Sequence, residues 1–181
     1  MSDCPEEIKN RLGLVQVYTG NGKGKTTTAL GLALRATGRG LNVIMLQFLK
    51  PDGGYGEHIA GRRLPGFTIE PMGTDHFKGR VPPEEEKRLT RLGMERAAEV
   101  LRSGDYDLVI LDEINNSMKF GLVSAEELIA LLESRAPHTE VVLTGRGAPR
   151  EIIDYADLVT EMTLVKHPFD QGVDARKGIE Y

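Results

Sequence analysis

Short apolar runs recur along the chain and predict the strands of a sheet. Strands are predicted at residues 14–18, 42–48, 67–72, 108–111 and 140–144, with one or two more within 158–165. The runs at 108–111 and 140–144 lack the polar alternation of a half-exposed strand, which is typical of strands that are buried on both faces. The strands therefore belong to the interior of a layered fold.

Helical patterns separate these strands. Residues 26–37 are rich in Ala and Leu, residues 84–102 carry apolar side chains at helical spacing, and residues 125–135 and a short stretch that starts at Pro149 are also predicted helical. Residues 51–66 are polar and glycine-rich, and they predict a long functional loop. The alternation predicts one α/β domain over residues 1–181, with a mostly parallel sheet flanked by helices on both faces.

Composition narrows the range of functions. The chain has 181 residues, with 23 Lys and Arg against 27 Asp and Glu, a net charge of −4 that provides no bulk positive field for nucleic acid or an anionic membrane. Cys4 is the only cysteine, charges occur throughout the first 20 residues, and no apolar run approaches the length of a membrane span. These features predict a cytoplasmic protein.

A glycine-rich segment lies between the first strand and the first helix. It reads Thr19-Gly20-Asn21-Gly22-Lys23-Gly24-Lys25-Thr26-Thr27. Its glycines allow backbone N–H groups to surround a polyphosphate at the amino end of a helix, where Lys25 would reach phosphate oxygens and the Thr26 hydroxyl would bind Mg²⁺. We call residues 20–25 the phosphate loop. It is one residue shorter than the usual motif, which would place a glycine at Thr19, so a purely structural turn is the alternative.

Two acids, Asp112 and Glu113, directly follow the buried strand 108–111. Because strand ends of a parallel sheet share an edge, these carboxylates should lie near the phosphate loop, in the manner of a Walker B site. Neighbouring strand side chains point to opposite faces, so one acid would bind Mg²⁺ and the other would orient a water or a partner residue. The alternative is that they cap the next helix or remain solvated.

Further candidates follow other strands. Lys50 and Arg146 should emerge at the same edge, where each could bind phosphate oxygens or remain a surface cation. His167 is more often a packed residue than a metal ligand in such a setting. Tyr55 and Phe77 are aromatic residues in glycine-bearing segments.

Five motifs together resemble the ATP:corrinoid adenosyltransferases of the CobA/CobO type. They are the phosphate-loop run from Gly20 to Thr27, Gln47-Phe48-Leu49-Lys50, Leu111-Asp112-Glu113, Leu143-Thr144-Gly145-Arg146, and the run from Val165 to Gly172. The resemblance extends from about residue 14 to residue 181.

The resemblance implies a RecA-like P-loop fold, a homodimer, and transfer of the 5′-deoxyadenosyl group of ATP to Co(I) of a reduced corrinoid, with release of triphosphate. It implies ATP in a reversed sense across the loop, Mg²⁺ or Mn²⁺ as the metal, the corrinoid as co-substrate and a flavoprotein as candidate reductant. Lys25 and Glu113 are then the expected catalytic residues, with Thr26, Asp112 and Glu113 at the metal. The nucleotide would be bound by Gly20, Asn21, Gly22, Lys23, Gly24, Lys25, Thr26, Thr27, Lys50 and Arg146. Aromatic residues near 72–78 would contact the corrinoid.

Two other functions remain open from the residues alone. An ordinary P-loop hydrolase or kinase would use Glu113 as its base, and it would release ADP or orthophosphate without any corrinoid. A nucleotide-dependent module on nucleic acid is disfavoured by the acidic balance.

Overall fold

The computed structural model describes residues 5–74 and 83–181. The strands there are β1 Val15–Thr19, β2 Val43–Phe48, β3 Phe67–Met72, β4 Leu108–Asp112, β5 Glu140–Thr144 and β6 Leu158–Glu161. The helices are α1 Pro5–Lys9, α2 Lys25–Thr37, α3 Gly56–Gly61, α4 Glu84–Ser103, α5 Ile114–Lys119, α6 Ala125–Glu133 and α7 Arg150–Tyr155, followed by a 3₁₀ turn at Pro168–Gln171. Cys4 and Phe77 lie outside the described residues.

The strands form one sheet in the order β3-β2-β4-β5-β1-β6, and every neighbouring pair is parallel. Val17 of β1 pairs with Leu143 of β5, and Ile110 of β4 pairs with Val142 of β5. One strand, β5, thus separates the strand that leads into the phosphate loop from the strand that ends in Asp112. The predicted α/β architecture with a parallel sheet is confirmed.

Alternate side chains of the central strands enter two separate cores, as the two-residue period of a strand requires. Val109 and Leu111 pack beneath α4, α5, α6 and α7, whereas Leu108 and Ile110 pack on the opposite face beneath α2. Ala29 and Ala33 are the buried apolar positions of α2, and their small side chains allow this helix to lie close to the sheet. Helices therefore cover both faces, and the carboxyl ends of the strands remain free to build a site.

Three local features differ from the sequence expectations. The loop predicted over residues 51–66 contains a helix, α3, whose His58 is buried and hydrogen-bonded. A short helix, α5, begins directly after Glu113. One strand forms in the region where one or two were predicted, but it is shorter than the predicted range to residue 165. It ends at Glu161, and the carbonyl of Met162 then accepts a hydrogen bond from the N–H of Gly22 at 2.6 Å.

No helix in the two described ranges combines the length and the apolar character that crossing a membrane requires.

Candidate nucleotide site

The phosphate loop connects β1 to α2 at the carboxyl edge of the sheet. Gly24 precedes α2 with φ of 119°, a left-handed conformation that favours glycine, and no side chain caps the helix. The free N–H groups of the first turn of this 13-residue helix therefore face the site, where the helix dipole favours an anion. Gly22 lies so close to the segment after β6 that an added Cβ would be 2.7 Å from the carbonyl oxygen of Met162.

Lys25 is buried inside the loop that precedes it. Its ammonium group donates hydrogen bonds to the carbonyls of Gly20 at 2.9 Å and Gly22 at 2.7 Å. Burial lowers the pKa of Lys25, and Arg146 lowers it further, while the negative charges of Glu113 and Asp112 oppose the shift. The ammonium closes the loop on itself and is positioned to exchange carbonyl oxygens for phosphate oxygens.

Asp112 is fully buried at the end of β4 and accepts four hydrogen bonds. Its Oδ1 accepts from the hydroxyls of Thr26 at 2.9 Å and Thr144 at 2.6 Å. Its Oδ2 accepts from the ammonium of Lys50 at 2.8 Å and from Nε2 of Gln47 at 3.2 Å. A buried carboxylate is costly unless all its oxygens are paired, and this one is held in a fixed orientation by the ends of β2 and β5 and the start of α2.

Lys50 is held beside Asp112 by charge. Burial alone would lower the pKa of Lys50, but the charge of Asp112 and its hydrogen bond outweigh that effect, and Glu113 and Glu57 add to it. The pKa of Lys50 therefore lies above its ordinary value, and the side chain stays cationic.

Glu113 lies in different surroundings from Asp112. Its backbone has φ of 62°, which turns the chain sharply between β4 and α5, and its N–H donates to the hydroxyl of Thr144 at 2.9 Å. Its carboxylate accepts a hydrogen bond from Asn116 and lines a cavity, whereas Asp112 lies behind the cavity wall. Burial raises the pKa of Glu113 and the charge of Asp112 raises it further, against the effects of Lys50, Lys25 and Arg146.

The side-chain oxygens at this edge of the sheet suit a magnesium ion whose other ligands are phosphates and waters. Thr26 Oγ1 and Asp112 Oδ1 lie 2.9 Å apart, and Glu113 lines the same cavity as Thr26. Within the described ranges no three His, Cys, Asp or Glu side chains converge on one point. Mg²⁺ ordinarily binds through one or two carboxylates together with phosphates and waters, so this donor set suits a metal that arrives with a nucleotide.

A cavity of about 500 Å³ opens at the amino end of α2. Its wall combines the phosphate loop and the start of α2 with residues from distant parts of the chain. The lining residues are Gly22, Lys23, Gly24, Lys25, Thr26, Thr27, Leu30, Lys50, Tyr55, Gly56, Glu57, Glu113, Arg146, His167, Gly178, Ile179, Glu180 and Tyr181.

Most of the predicted site residues line this cavity. Gly20, Asn21 and Asp112 do not: Gly20 contributes its carbonyl to Lys25, Asn21 is exposed at the tip of the loop, and Asp112 lies behind Thr26. The Arg146 side chain lines the wall, and its N–H donates to Asn116 at 2.8 Å, which joins it to the residue that holds Glu113.

Sequence reasoning missed two contributions to the wall. Glu57, in α3, points towards Lys50, with 3.8 Å between Oε1 and Nζ. The segment 178–181 folds back over the phosphate loop, where Glu180 forms an ion pair with Lys23 at 2.8 Å. Arg176 and Lys23 hold the pKa of Glu180 well below its usual range. The acidic side chain of Glu57 in a glycine-rich segment was a sequence signal for the contact with Lys50. The contact between Glu180 and Lys23 joins residues more than 150 positions apart, and no local pattern reveals it.

His167 and Tyr55 both reach the cavity. His167 accepts the N–H of Phe169 through Nδ1 at 3.1 Å and so begins the 3₁₀ turn. Lys50 Nζ lies 5.7 Å from the centre of the Tyr55 ring, a cation–π distance that links two residues of the cavity wall.

The family model and the similar proteins of known name agree on one family. The model of a family described as ATP:corrinoid adenosyltransferase BtuR/CobO/CobP matches residues 11–181. A protein named corrinoid adenosyltransferase from Pseudomonas aeruginosa is 36% identical over 176 residues, which cover 97% of this chain and 87% of that protein. Corrinoid adenosyltransferase CobA from Salmonella typhimurium is 38% identical over 178 residues, with 97% of this chain and 89% of that protein covered.

Among solved structures, the cytoplasmic domain of the Thermomonospora curvata type VII secretion ATPase EccC is similar with a TM-score of 0.44 and 18% identity. The similarity covers 90% of this chain and 21% of that chain.

Proposed function

Because the chain belongs to the ATP:corrinoid adenosyltransferase family, we propose that the cavity beside the phosphate loop holds ATP with its C5′ carbon presented to the cobalt of a reduced corrinoid. The protein transfers the 5′-deoxyadenosyl group of ATP to that cobalt and releases triphosphate. An ordinary P-loop hydrolase or kinase is not favoured by this membership.

The chemistry of adenosyl transfer determines which tasks the protein has to perform. The Co(I) centre supplies the electron pair for a new Co–C5′ bond, the C5′–O bond breaks, and triphosphate leaves with that bond's electrons. The nucleophile has no proton to lose, so no general base is needed. The protein has to fix an in-line arrangement and stabilise the negative charge that develops on the leaving triphosphate.

One observation carries the proposal: Lys25, Lys50 and Arg146 line the same cavity at the amino end of α2. Lys25 stabilises the leaving phosphates after it exchanges the carbonyls of Gly20 and Gly22, and the N–H groups of the loop bind the remaining oxygens. Lys23, which is exposed and paired with Glu180, adds a cation that is released when that ion pair opens.

Thr26, Asp112 and Glu113 are the residues that would hold Mg²⁺ or Mn²⁺, directly or through water. Bound there, the metal would neutralise charge on the triphosphate. Asp112 orients Thr26 and keeps Lys50 in place, while Glu113 faces the cavity and is the acid best placed to meet a metal that enters with the nucleotide.

Tyr55 is our candidate for contact with the corrinoid or the nucleoside, since it is a half-buried aromatic residue that lines the cavity. We also propose a homodimer that works in the cytoplasm with a flavoprotein as reductant. The edge strand β6 supports the dimer, because its apolar residues Leu158 and Val159 are 41% and 39% exposed. Light scattering that gives twice the chain mass would support this assembly, and a monomer would contradict it.

Activity is tested by anaerobic incubation of the protein with ATP, Mg²⁺ and chemically reduced cobalamin. We expect the absorption spectrum of an alkylated cobalt, with one triphosphate released for each adenosylated corrinoid. Hydrolysis to ADP and orthophosphate at the same rate with and without corrinoid would overturn the proposed function.

A further inference from the structure

A chain of buried hydrogen bonds joins the start of α3 to Asp112. Gln47 is fully buried in β2, and His58 of α3 is only 5% exposed. His58 Nε2 lies 2.5 Å from Oε1 of Gln47, and Nε2 of Gln47 lies 3.2 Å from Oδ2 of Asp112. None of the motifs found in the sequence includes His58.

The contact at Nδ1 of His58 determines which atoms donate and which accept in this chain of hydrogen bonds. The N–H of Gly53 donates to Nδ1 of His58 at 3.4 Å, so Nδ1 is the acceptor and the proton of the neutral ring lies on Nε2. Nε2 then donates to the Gln47 carbonyl oxygen. The amide NH₂ of Gln47 is left to face two carboxylates, Asp112 at 3.2 Å and Glu57 at 3.4 Å.

We propose that His58 is a positioning residue for the reaction: its Nε2–H fixes the Gln47 amide so that NH₂ faces Asp112 and holds that carboxylate towards Thr26. This inference rests on the proposed role of Asp112 at the metal. Without the donor on Nε2, the Gln47 amide is free to rotate and present its oxygen to Asp112, which would oppose the carboxylate and weaken its orientation.

His58 also connects the cavity wall to Asp112. His58 packs against Tyr55 with ring centres 5.4 Å apart, and Glu57, its neighbour in α3, faces Lys50. Because α3 has only six residues, its position depends on such tertiary contacts rather than on helix propensity. His58 therefore holds both the wall residue Tyr55 and, through Gln47, the carboxylate behind the wall.

Two variants separate the two ring nitrogens. His58→Gln places an amide nitrogen near the position of Nε2 and keeps the donor to Gln47, whereas His58→Asn places its amide near Nδ1 and keeps only the contact to Gly53. His138→Asn is the matched control, because His138 contacts Gly104 at the opposite end of the sheet. Full-length proteins are compared for kcat, for KM of ATP and for the Mg²⁺ concentration at half-maximal rate.

We expect His58→Asn to raise the half-maximal Mg²⁺ concentration or lower kcat by about tenfold, as is usual when a residue behind a metal ligand is lost. We expect His58→Gln to recover most of that loss, and His138→Asn to behave as the unchanged protein. Equal activity of both His58 variants would overturn the positioning role.

Nuclear magnetic resonance of the ¹⁵N-labelled protein without nucleotide gives a readout that needs no activity. We expect the ¹⁵N resonances of the His58 ring to show the Nε2–H tautomer, as the contacts to Gly53 and Gln47 require. The Nδ1–H tautomer, or exchange between the two, would overturn the inference even if every variant were poorly folded. If the unchanged protein forms no alkylated cobalt, the proposed function fails, while this spectrum still tests the His58–Gln47 contact.

Discussion

At the residue scale, the site is built from charges that are paired before any substrate arrives. Lys25 is paired with loop carbonyls, Lys50 with Asp112, and Lys23 with Glu180. Each cation is thereby held near the place where phosphate would bind, and little reorganisation is needed when oxygens of the nucleotide replace the partners of Lys25 and Lys23. Substitutions at these positions should therefore affect turnover more than folding.

Lys25→Ala removes the cation that faces the phosphates. We expect kcat to fall by about 10² to 10³-fold, the usual effect of losing one preorganised charge-stabilising group. The free energy of unfolding should fall by no more than about 3 kcal/mol, since two hydrogen bonds to loop carbonyls are lost. Steady-state rates and thermal melts measure both, with the exposed Lys119→Ala as the control. Turnover equal to that of the unchanged protein would contradict the assignment of the loop.

Thr26→Ala removes a hydroxyl that bonds to Asp112 and is proposed to meet the metal. We expect the Mg²⁺ concentration at half-maximal rate to rise on the order of tenfold, with part of the activity restored at high Mg²⁺. Thr28→Ala in the same helix is the control, because Thr28 does not line the cavity. An identical response of rate to Mg²⁺ in both variants would show that Thr26 is not a ligand.

At the scale of elements, sequence patterns predicted those parts of the fold that depend on residues close together in the chain. The strands and α2 follow from apolar periodicity, and the phosphate loop follows from glycine spacing between a strand and a helix. Helix α3 could not be predicted because this six-residue helix begins and ends with glycine, which has low helix propensity, and burial of His58 stabilises it instead. Contact between Glu180 and Lys23 was equally hidden, since it joins distant parts of the chain.

The phosphate loop depends on close approach of its backbone to the segment after β6. In Gly22→Ala the new methyl would overlap the carbonyl oxygens of Met162 and Thr163 at 2.7 and 2.8 Å, so the loop must shift. We expect kcat/KM for ATP to fall by roughly tenfold or more, from a strain of about 1–3 kcal/mol. Gly31→Ala in α2 is the matched change: its methyl meets open space, and it should raise the free energy of unfolding by about 0.5–1 kcal/mol. Unaltered ATP kinetics in Gly22→Ala would contradict the proposed loop geometry.

The segment 178–181 competes with phosphate for Lys23. Because Glu180 is the carboxylate paired with that lysine, Glu180→Gln should lower KM for ATP, by no more than about fivefold for an exposed ion pair. High salt should reduce the difference, since it screens such pairs. Glu133→Gln, an exposed acid in α6, serves as control. A KM that rises in Glu180→Gln would mean that Glu180 helps to hold the nucleotide rather than competing with it.

At the scale of the whole molecule, the parallel sheet explains why the candidate residues meet. β1, β2, β4 and β5 all end at one edge, which brings the phosphate loop, Lys50, the two acids and Arg146 together from distant parts of the sequence. The chain is acidic overall, with a net charge of −4, and this edge brings the cations Lys23, Lys25, Lys50 and Arg146 together with the carboxylates of Glu57, Glu113 and Glu180. An anionic substrate would therefore bind through local contacts with individual cations rather than through a bulk positive field.

A crystal structure of the protein with ATP and Mg²⁺ tests the central claim most directly. We predict the triphosphate against the phosphate loop, Lys25 moved from the Gly20 and Gly22 carbonyls onto phosphate oxygens, and the ribose C5′ open towards the mouth of the cavity beside Tyr55. A complex in which C5′ is enclosed by protein and the terminal phosphorus alone faces solvent would contradict this account.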